Sequence, residues 1–283
     1  MGKHHVSTSC ASDYERMVFL RKNSVKLVTS LSVVLGIVWL AGFVWAVQDY
    51  YGGQSATGLK HTPERPVNEM DGQELTIVAL GDSLTRGTGD ETGKGYVGLV
   101  TEDVKKRFEG KVTVHNLGIN GQTSRELRKQ VKQREVRRQL GAADTILITI
   151  GGNDLFRGGQ TLLDYSPGSL SKLQVNFIQN LTSILKDVRG ANHNATIFFV
   201  GLYNPFIKLE DGDETSRVVR EWNRLSEETS AAFSNVVFVP TYDIFQLSVD
   251  DYLYTDRFHP NKQGYRLIAE RVAPLIKWEE KQE

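Results

Sequence analysis

Apolar residues fall along this chain in two patterns. Continuous runs occur at Leu75–Leu80 (LTIVAL), Val112–Val114, Thr145–Ile150 (TILITI), Thr196–Val200 (TIFFV) and Val236–Val239. Short, β-branched and unbroken, they predict strands buried on both faces of a parallel sheet. Between them apolar positions recur every three or four residues, as on one face of a helix. Tyr96–Phe108 carries Val97, Val100, Val104 and Phe108 on one stripe; Ser171–Val188 carries Val175, Ile178, Leu181, Ile184, Leu185 and Val188. Ser216–Phe233 carries Val218, Val219, Trp222 and Leu225, and Gly264–Leu275 closes the series. Strands alternating with helix-length crossovers predict a three-layer α/β/α sandwich around a central parallel sheet. Ligands bind beyond the carboxyl ends of the strands in such sheets, so residues directly after each strand are the candidates for chemistry.

One apolar run is of another kind. Leu27–Val47 is uncharged for 21 residues, about 31 Å as a helix and enough to span a bilayer. Arg21, Lys22 and Lys26 precede it and Asp49 follows, which orients the N-terminus to the cytoplasm. The expected division is a cytoplasmic tail over 1–26, a transmembrane anchor over 27–47, a Gly- and Pro-containing stalk over 48–72, and an extracytoplasmic α/β domain over 73–283. A cleaved signal peptide ending near Val44-Trp45-Ala46 would instead make the domain secreted. The run exceeds the apolar core of such peptides, which favours the uncleaved anchor.

Composition narrows the function classes. Lys plus Arg and Asp plus Glu both count 34; without residues 1–47 the balance is 29 against 32, or −3. A mildly acidic domain is a poor nucleic-acid binder. The single cysteine, Cys10, precedes the apolar run, so an intrachain disulfide is excluded, as are a thiolate metal cluster and a cysteine nucleophile in the main domain.

Four short motifs sit where chemistry is expected. Gly81-Asp82-Ser83-Leu84 follows the first strand and exposes a serine at its carboxyl end; Thr85 stands where the G-x-S-x-G elbow has its second glycine, so the motif is a different one. Alone it also reads as a helix cap. Asn116-Leu117-Gly118-Ile119-Asn120-Gly121 follows the second strand, and its glycines allow close backbone approach or a plain turn. Gly151-Gly152-Asn153-Asp154 follows the third; an asparagine there can aim its amide at a developing oxyanion, or simply make a turn. In Asp256-Arg257-Phe258-His259-Pro260-Asn261, a carboxylate three residues before a histidine can hold one ring nitrogen and leave the other free as a base. The same stretch reads as a helix start with Pro260 near the first helical position.

Taken together and in this order, the motifs resemble the SGNH or GDSL hydrolase superfamily over about residues 74–276, and most closely its bacterial lysophospholipase-like acylhydrolases. The resemblance implies a flavodoxin-like sheet and a serine esterase without metal or cofactor. It assigns Ser83 as nucleophile, His259 as base and Asp256 as its orienting carboxylate. The oxyanion hole would be the amides of Ser83 and Gly118 with the side chain of Asn153. Asp82 and Asp154 read as structural residues of their turns. The expected substrate is a lipid or small acyl ester; an O-deacetylase of envelope sugars and a thioesterase share the chemistry, and a membrane-anchored binding protein with a vestigial site is the non-enzymatic rival. Tyr203-Asn204-Pro205-Phe206, after the fourth strand, is a rim loop. Arg86 and Arg157 are candidates for meeting an anionic substrate, or solvated surface arginines. The basic stretch Arg125–Arg138 reads as a solvated helix face with a thin stripe of Leu127, Val131 and Leu140.

Overall fold

The computed structural model describes residues 32–44, 73–156 and 167–278. The chain forms two compact units, Met1–Glu69 and Met70–Glu283. In the first, residues 32–44 are helical and exposed. Among the described residues no helix is long and apolar enough to cross a membrane. The remainder of the expected anchor (27–31 and 45–47), the tail over 1–26 and the stalk over 48–72 lie outside the described residues.

The second unit is an α/β domain. Its elements in order are β1 (Glu74–Gly81), α1 (Ser83–Arg86), α2 (Gly95–Lys105), β2 (Lys111–Asn116), α3 (Ser124–Gln130), α4 (Arg134–Gly141), β3 (Thr145–Thr149), α5 (Gly152–Phe156) and α6 (Pro167–Ala191). They continue with β4 (Thr196–Val200), α7 (Gly212–Ala231), β5 (Val236–Val239), α8 (Tyr242–Gln246), α9 (Val249–Tyr252) and α10 (Lys262–Val272). The five strands are parallel in the order β2-β1-β3-β4-β5. Chain order reverses between β1 and β3, and that reversal opens a crevice at the strands' carboxyl ends.

Alternate side chains of each central strand enter opposite cores, as the two-residue period of a strand demands. Val78, Leu80, Ile146, Ile148, Ile197 and Phe199 pack with Leu127, Leu140, Leu181, Ile184 and Trp222 from α3, α4, α6 and α7. Ile77, Ala79, Leu147, Phe198 and Val200 pack with Tyr96, Val100 and Val104 of α2 and with Tyr265, Ile268 and Val272 of α10. This is the predicted sandwich.

The structure corrects the sequence reading in four places. Strands β2 and β5 are only half-buried, because they are the sheet's edges. Val175 is 53% exposed; it lies two positions from buried Phe177, about 200° around the helix. The basic stretch is two helices, α3 and α4, joined by a tightened turn in which the Lys132 and Gln133 amides donate to Lys129 and Gln130. Its apolar residues Leu127, Val131 and Leu140 are fully buried, so only its outer face is solvated. Pro260 lies outside α10: it pairs with Leu253, and Asn261 caps the helix by accepting from the amides of Gln263 and Gly264.

Candidate active site

Ser83 owes its position to the way β1 ends. Gly81 has φ +136°, and a Cβ there would lie 2.0 Å from the Thr149 carbonyl oxygen, so only glycine lets β1 run this close to β3 before turning. Asp82 then caps α1, accepting from the Leu84 amide at 3.1 Å and from Thr149 Oγ1 at 2.9 Å. Thr85 Oγ1 joins the network, 2.7 Å from Thr149 Oγ1, and donates to the Leu80 carbonyl. Burial pushes the Asp82 carboxyl up to about 6, against the opposing pull of its hydrogen bonds and of nearby His259. Asp82 is thus a structural residue of its turn, as expected, and acts as helix cap and cross-strand tie. Ser83 is the first helical residue and only 4% exposed.

Ser83 Oγ lies 2.7 Å from His259 Nε2, across 176 positions of sequence. On the far side of the imidazole, Nδ1 lies 2.6 Å from Asp256 Oδ2. The other Asp256 oxygen accepts from the amides of Phe258 and His259, each at 3.0 Å. A carboxylate only accepts, so Nδ1 carries the ring proton and Nε2 faces Ser83 as an acceptor. Partial burial works to raise the Asp256 carboxyl, but the His259 ring and the two amides outweigh it and hold the group below its ordinary value. The loop that carries both residues turns at Arg257, φ +54°. It is pinned by Tyr254 N–H to the His259 carbonyl (2.7 Å) and by the Tyr203 hydroxyl to the Phe258 carbonyl (2.5 Å).

Of the three expected oxyanion donors, Ser83 and Asn153 line one cavity, and the loop of the third, Gly118, packs against α1. The Ser83 amide is among the first N–H groups of a helix, which have no intrahelical acceptor. Asn153 donates from Nδ2 to the Gln122 carbonyl at 2.9 Å; that bond fixes the side chain and leaves the second amide hydrogen. The Gly118 amide donates to Asn116 Oδ1 at 3.0 Å. Its loop is pressed against α1: Asn116 Nδ2 donates to the Thr85 carbonyl at 2.7 Å, and a Cβ on Gly118 would sit 2.6 Å from the Arg86 nitrogen. Asp154 ties the turn after β3 to the start of α3, accepting from the Ser124 amide (2.8 Å) and hydroxyl (2.5 Å).

A narrow cavity of about 20 Å³ opens beside Ser83 and Asn153, walled by Phe156, Leu202, Tyr203, Pro205 and Phe258. Tyr203 and Pro205 belong to the rim loop foreseen from the sequence. Phe156 and Phe258 were not singled out; their adjacency to Asn153 and His259 in the chain was the available signal. Arg86 is exposed and borders no cavity described here, and Arg157 lies outside the described residues.

Comparison with known proteins gives the family and the fold. Residues 79–267 match the GDSL-like lipase/acylhydrolase family. The chain is 34% identical over 212 residues to the uncharacterized protein YpmR of Bacillus subtilis, spanning 73% of this chain and 83% of that protein. It is 27% identical over 208 residues to the spore germination lipase LipC of Bacillus licheniformis, spanning 70% of this chain and 94% of the lipase. Among solved structures, the lipase Lip_vut3 from a goat rumen metagenome shares the fold: TM-score 0.65, 24% identity, 71% of this chain and 96% of that one.

Proposed function

The chain belongs to the GDSL-like lipase/acylhydrolase family and is an ester-bond hydrolase; on that premise we propose that it cleaves carboxylic esters through an acyl-enzyme on Ser83. The observation that carries this reading is the pair of hydrogen bonds, 2.7 and 2.6 Å, running from Ser83 through His259 to Asp256. A serine hydroxyl is a weak nucleophile at neutral pH and needs a base in contact. His259 Nε2 takes the Ser83 proton as Oγ bonds to the ester carbonyl carbon. The carbonyl π electrons move to oxygen, where the Ser83 amide and Asn153 Nδ2 meet the charge. The Gly118 amide joins them once Asn116 releases it. The tetrahedral species collapses, the C–O bond to the alcohol breaks, and the imidazolium returns its proton to the departing oxygen. Water then attacks the acyl-serine by the same path and restores Ser83. Asp256 stays ionised and stabilises the imidazolium throughout.

The cavity beside Ser83 is methyl-sized; a volume this small holds about one water. It favours an acetyl or similarly short acyl group over a long chain. The same observation supports a second reading, removal of O-acetyl groups from envelope sugars. The proposal includes a tether: the uncharged run over 27–47, with basic residues before it, would hold the domain outside the membrane.

A fluorophosphonate probe and a series of nitrophenyl esters from acetate to laurate test the reading. Ser83 is expected to be labelled, Ser83→Ala to lose turnover, and acetate to be the best ester. Retained turnover in Ser83→Ala would refute the nucleophile assignment; a laurate optimum would refute the short-acyl assignment.

A further inference from the structure

The peptide that joins Leu117 to Gly118 carries the Gly118 N–H expected at the oxyanion hole. Its neighbours on both sides are anchored to β1: the Leu117 amide donates to the Ala79 carbonyl and the Ile119 amide to the Gly81 carbonyl, each at 2.8 Å. Neither bond involves the 117–118 peptide itself. Between two fixed neighbours a peptide plane can still swing, and glycine, without a Cβ, resists that swing least. A planar trans peptide carries its C=O and N–H on one rigid frame, pointing opposite ways. Whatever holds the Leu117 oxygen therefore aims the Gly118 hydrogen.

Gln130, the last residue of α3, holds that oxygen. Its Nε2 donates to the Leu117 carbonyl at 2.9 Å, and its Oε1 accepts from Gln122 Nε2 at 2.9 Å. Both glutamines are buried. A carbonyl only accepts, so Gln130 must turn its nitrogen to Leu117, and Gln122 must turn its own to Gln130. That order leaves Gln122 Oε1 buried without a hydrogen-bond partner among the described residues. Packing of α3 alone gives no reason to keep such an atom. Three amide groups stand in series, each polarising the next, with the Gly118 N–H at the end of the chain. Gln122 serves a second donor as well, since its backbone carbonyl accepts from Asn153 Nδ2 at 2.9 Å.

We propose that Gln130 is a positioning residue of the oxyanion hole, aiming and polarising the Gly118 N–H through the Leu117 carbonyl, with Gln122 as its support. This rests on the acyl-enzyme reading above, in which Gly118 is an oxyanion donor. In the resting site that N–H donates to Asn116 Oδ1. When Asn116 releases it, the tie at the carbonyl end keeps the plane from turning.

Gln130→Met keeps the length of the side chain and removes both of its hydrogen bonds. Gln122→Met removes only the outer bond and keeps the backbone carbonyl for Asn153. Losing a donor outright costs about 10²–10³ in rate, and misaiming one costs less. On nitrophenyl acetate, kcat is expected to fall about tenfold in Gln130→Met and about threefold in Gln122→Met, with KM unchanged, because the interaction is made only in the transition state. 1,1,1-Trifluoroacetone accepts Ser83 Oγ at its carbonyl carbon and leaves an oxyanion in the hole, so its Ki should rise by the same factors. Leu127→Ala loosens the same helix from the core without touching either glutamine. It should lower the urea midpoint more than the glutamine variants and keep kcat within about twofold of wild type. A rise in KM at constant kcat, a Ki that does not follow kcat, or a Leu127→Ala variant as slow as Gln130→Met would reduce the glutamines to packing and overturn the proposal. Full kcat in Gln130→Met would do the same, as would full kcat in Gln122→Met should Gln130→Met not fold. Wild type that neither turns over the ester nor is labelled at Ser83 by a fluorophosphonate would instead sink the hydrolase reading, and the positioning role with it.

Discussion

Replacing Asp82 by Asn should change how stability depends on pH, by an amount the structure specifies. Asp82 is fully buried and its carboxyl titrates at about 6 in the folded chain, against an ordinary 3.8. Between those values the unfolded chain has released the proton while the folded chain keeps it, so stability falls as pH rises. At 1.36 kcal/mol for each pH unit of separation, the loss is complete above pH 6 and amounts to about 3 kcal/mol. Asparagine keeps an acceptor for the Leu84 amide and Thr149 Oγ1 but has no charge to bury. Any packing cost of its NH₂ group is independent of pH and cancels in the comparison. Urea denaturation of both proteins, followed through the fluorescence of buried Trp222, gives the free energy at each pH. The stability of Asp82→Asn relative to wild type should rise by about 2–3 kcal/mol between pH 4 and pH 7. A difference constant to within about 0.5 kcal/mol across that range would show that burial does not hold the proton on Asp82.

Other perturbations address the reaction and the turns that build it. Asn153→Ala should lower kcat on nitrophenyl acetate by about 10²–10³ with little change in KM, since the donor acts on charge that appears only in the transition state; an unchanged kcat removes it from the oxyanion hole. Asp256→Asn should cost about 10³–10⁴ in kcat by offering His259 Nδ1 an NH₂ donor and the wrong tautomer; activity within tenfold of wild type argues against that role. Gly118→Ala places a methyl 2.6 Å from the Arg86 nitrogen and should destabilise the chain by about 1–3 kcal/mol, readable as a shifted urea midpoint. Leu202→Ala should widen the small cavity and move the optimum from acetate toward butyrate; an unmoved optimum would place the acyl group elsewhere.

The central strands and the long helices could be read from hydrophobic periodicity because packing there is repetitive. Ile146, Ile148, Leu181 and Trp222 are buried, as their spacing implied. Sequence failed where exposure depends on neighbours far along the chain: β2 and β5 look like central strands until their places in the sheet are known. The residues proposed to react were legible through short motifs at strand ends and in one late loop. Their surroundings were not. Arg125 and Arg128 read as solvent-facing and are exposed, but no local pattern says that α6 lies beside α3, and Phe156 and Phe258 meet only after the fold brings distant residues to one wall. The hydrogen bond from the Gly118 amide to Asn116 was likewise invisible, since it depends on how the loop leans on α1.

The loop from Asp256 to His259 has a corollary for how such a centre can be altered. Its carboxylate and imidazole are neighbours, mutually aligned by the loop's own amides. The rest of the molecule pins the loop through the Tyr203 hydroxyl and sets the offset of α10 and its leading loop against the end of β1. The Tyr265 hydroxyl helps to hold that offset by donating to the Thr88 carbonyl at 2.6 Å. Substitutions on α10 or α2 far from any reacting atom should therefore tune turnover through translation of an otherwise undistorted dyad, whereas changes within the loop should abolish it.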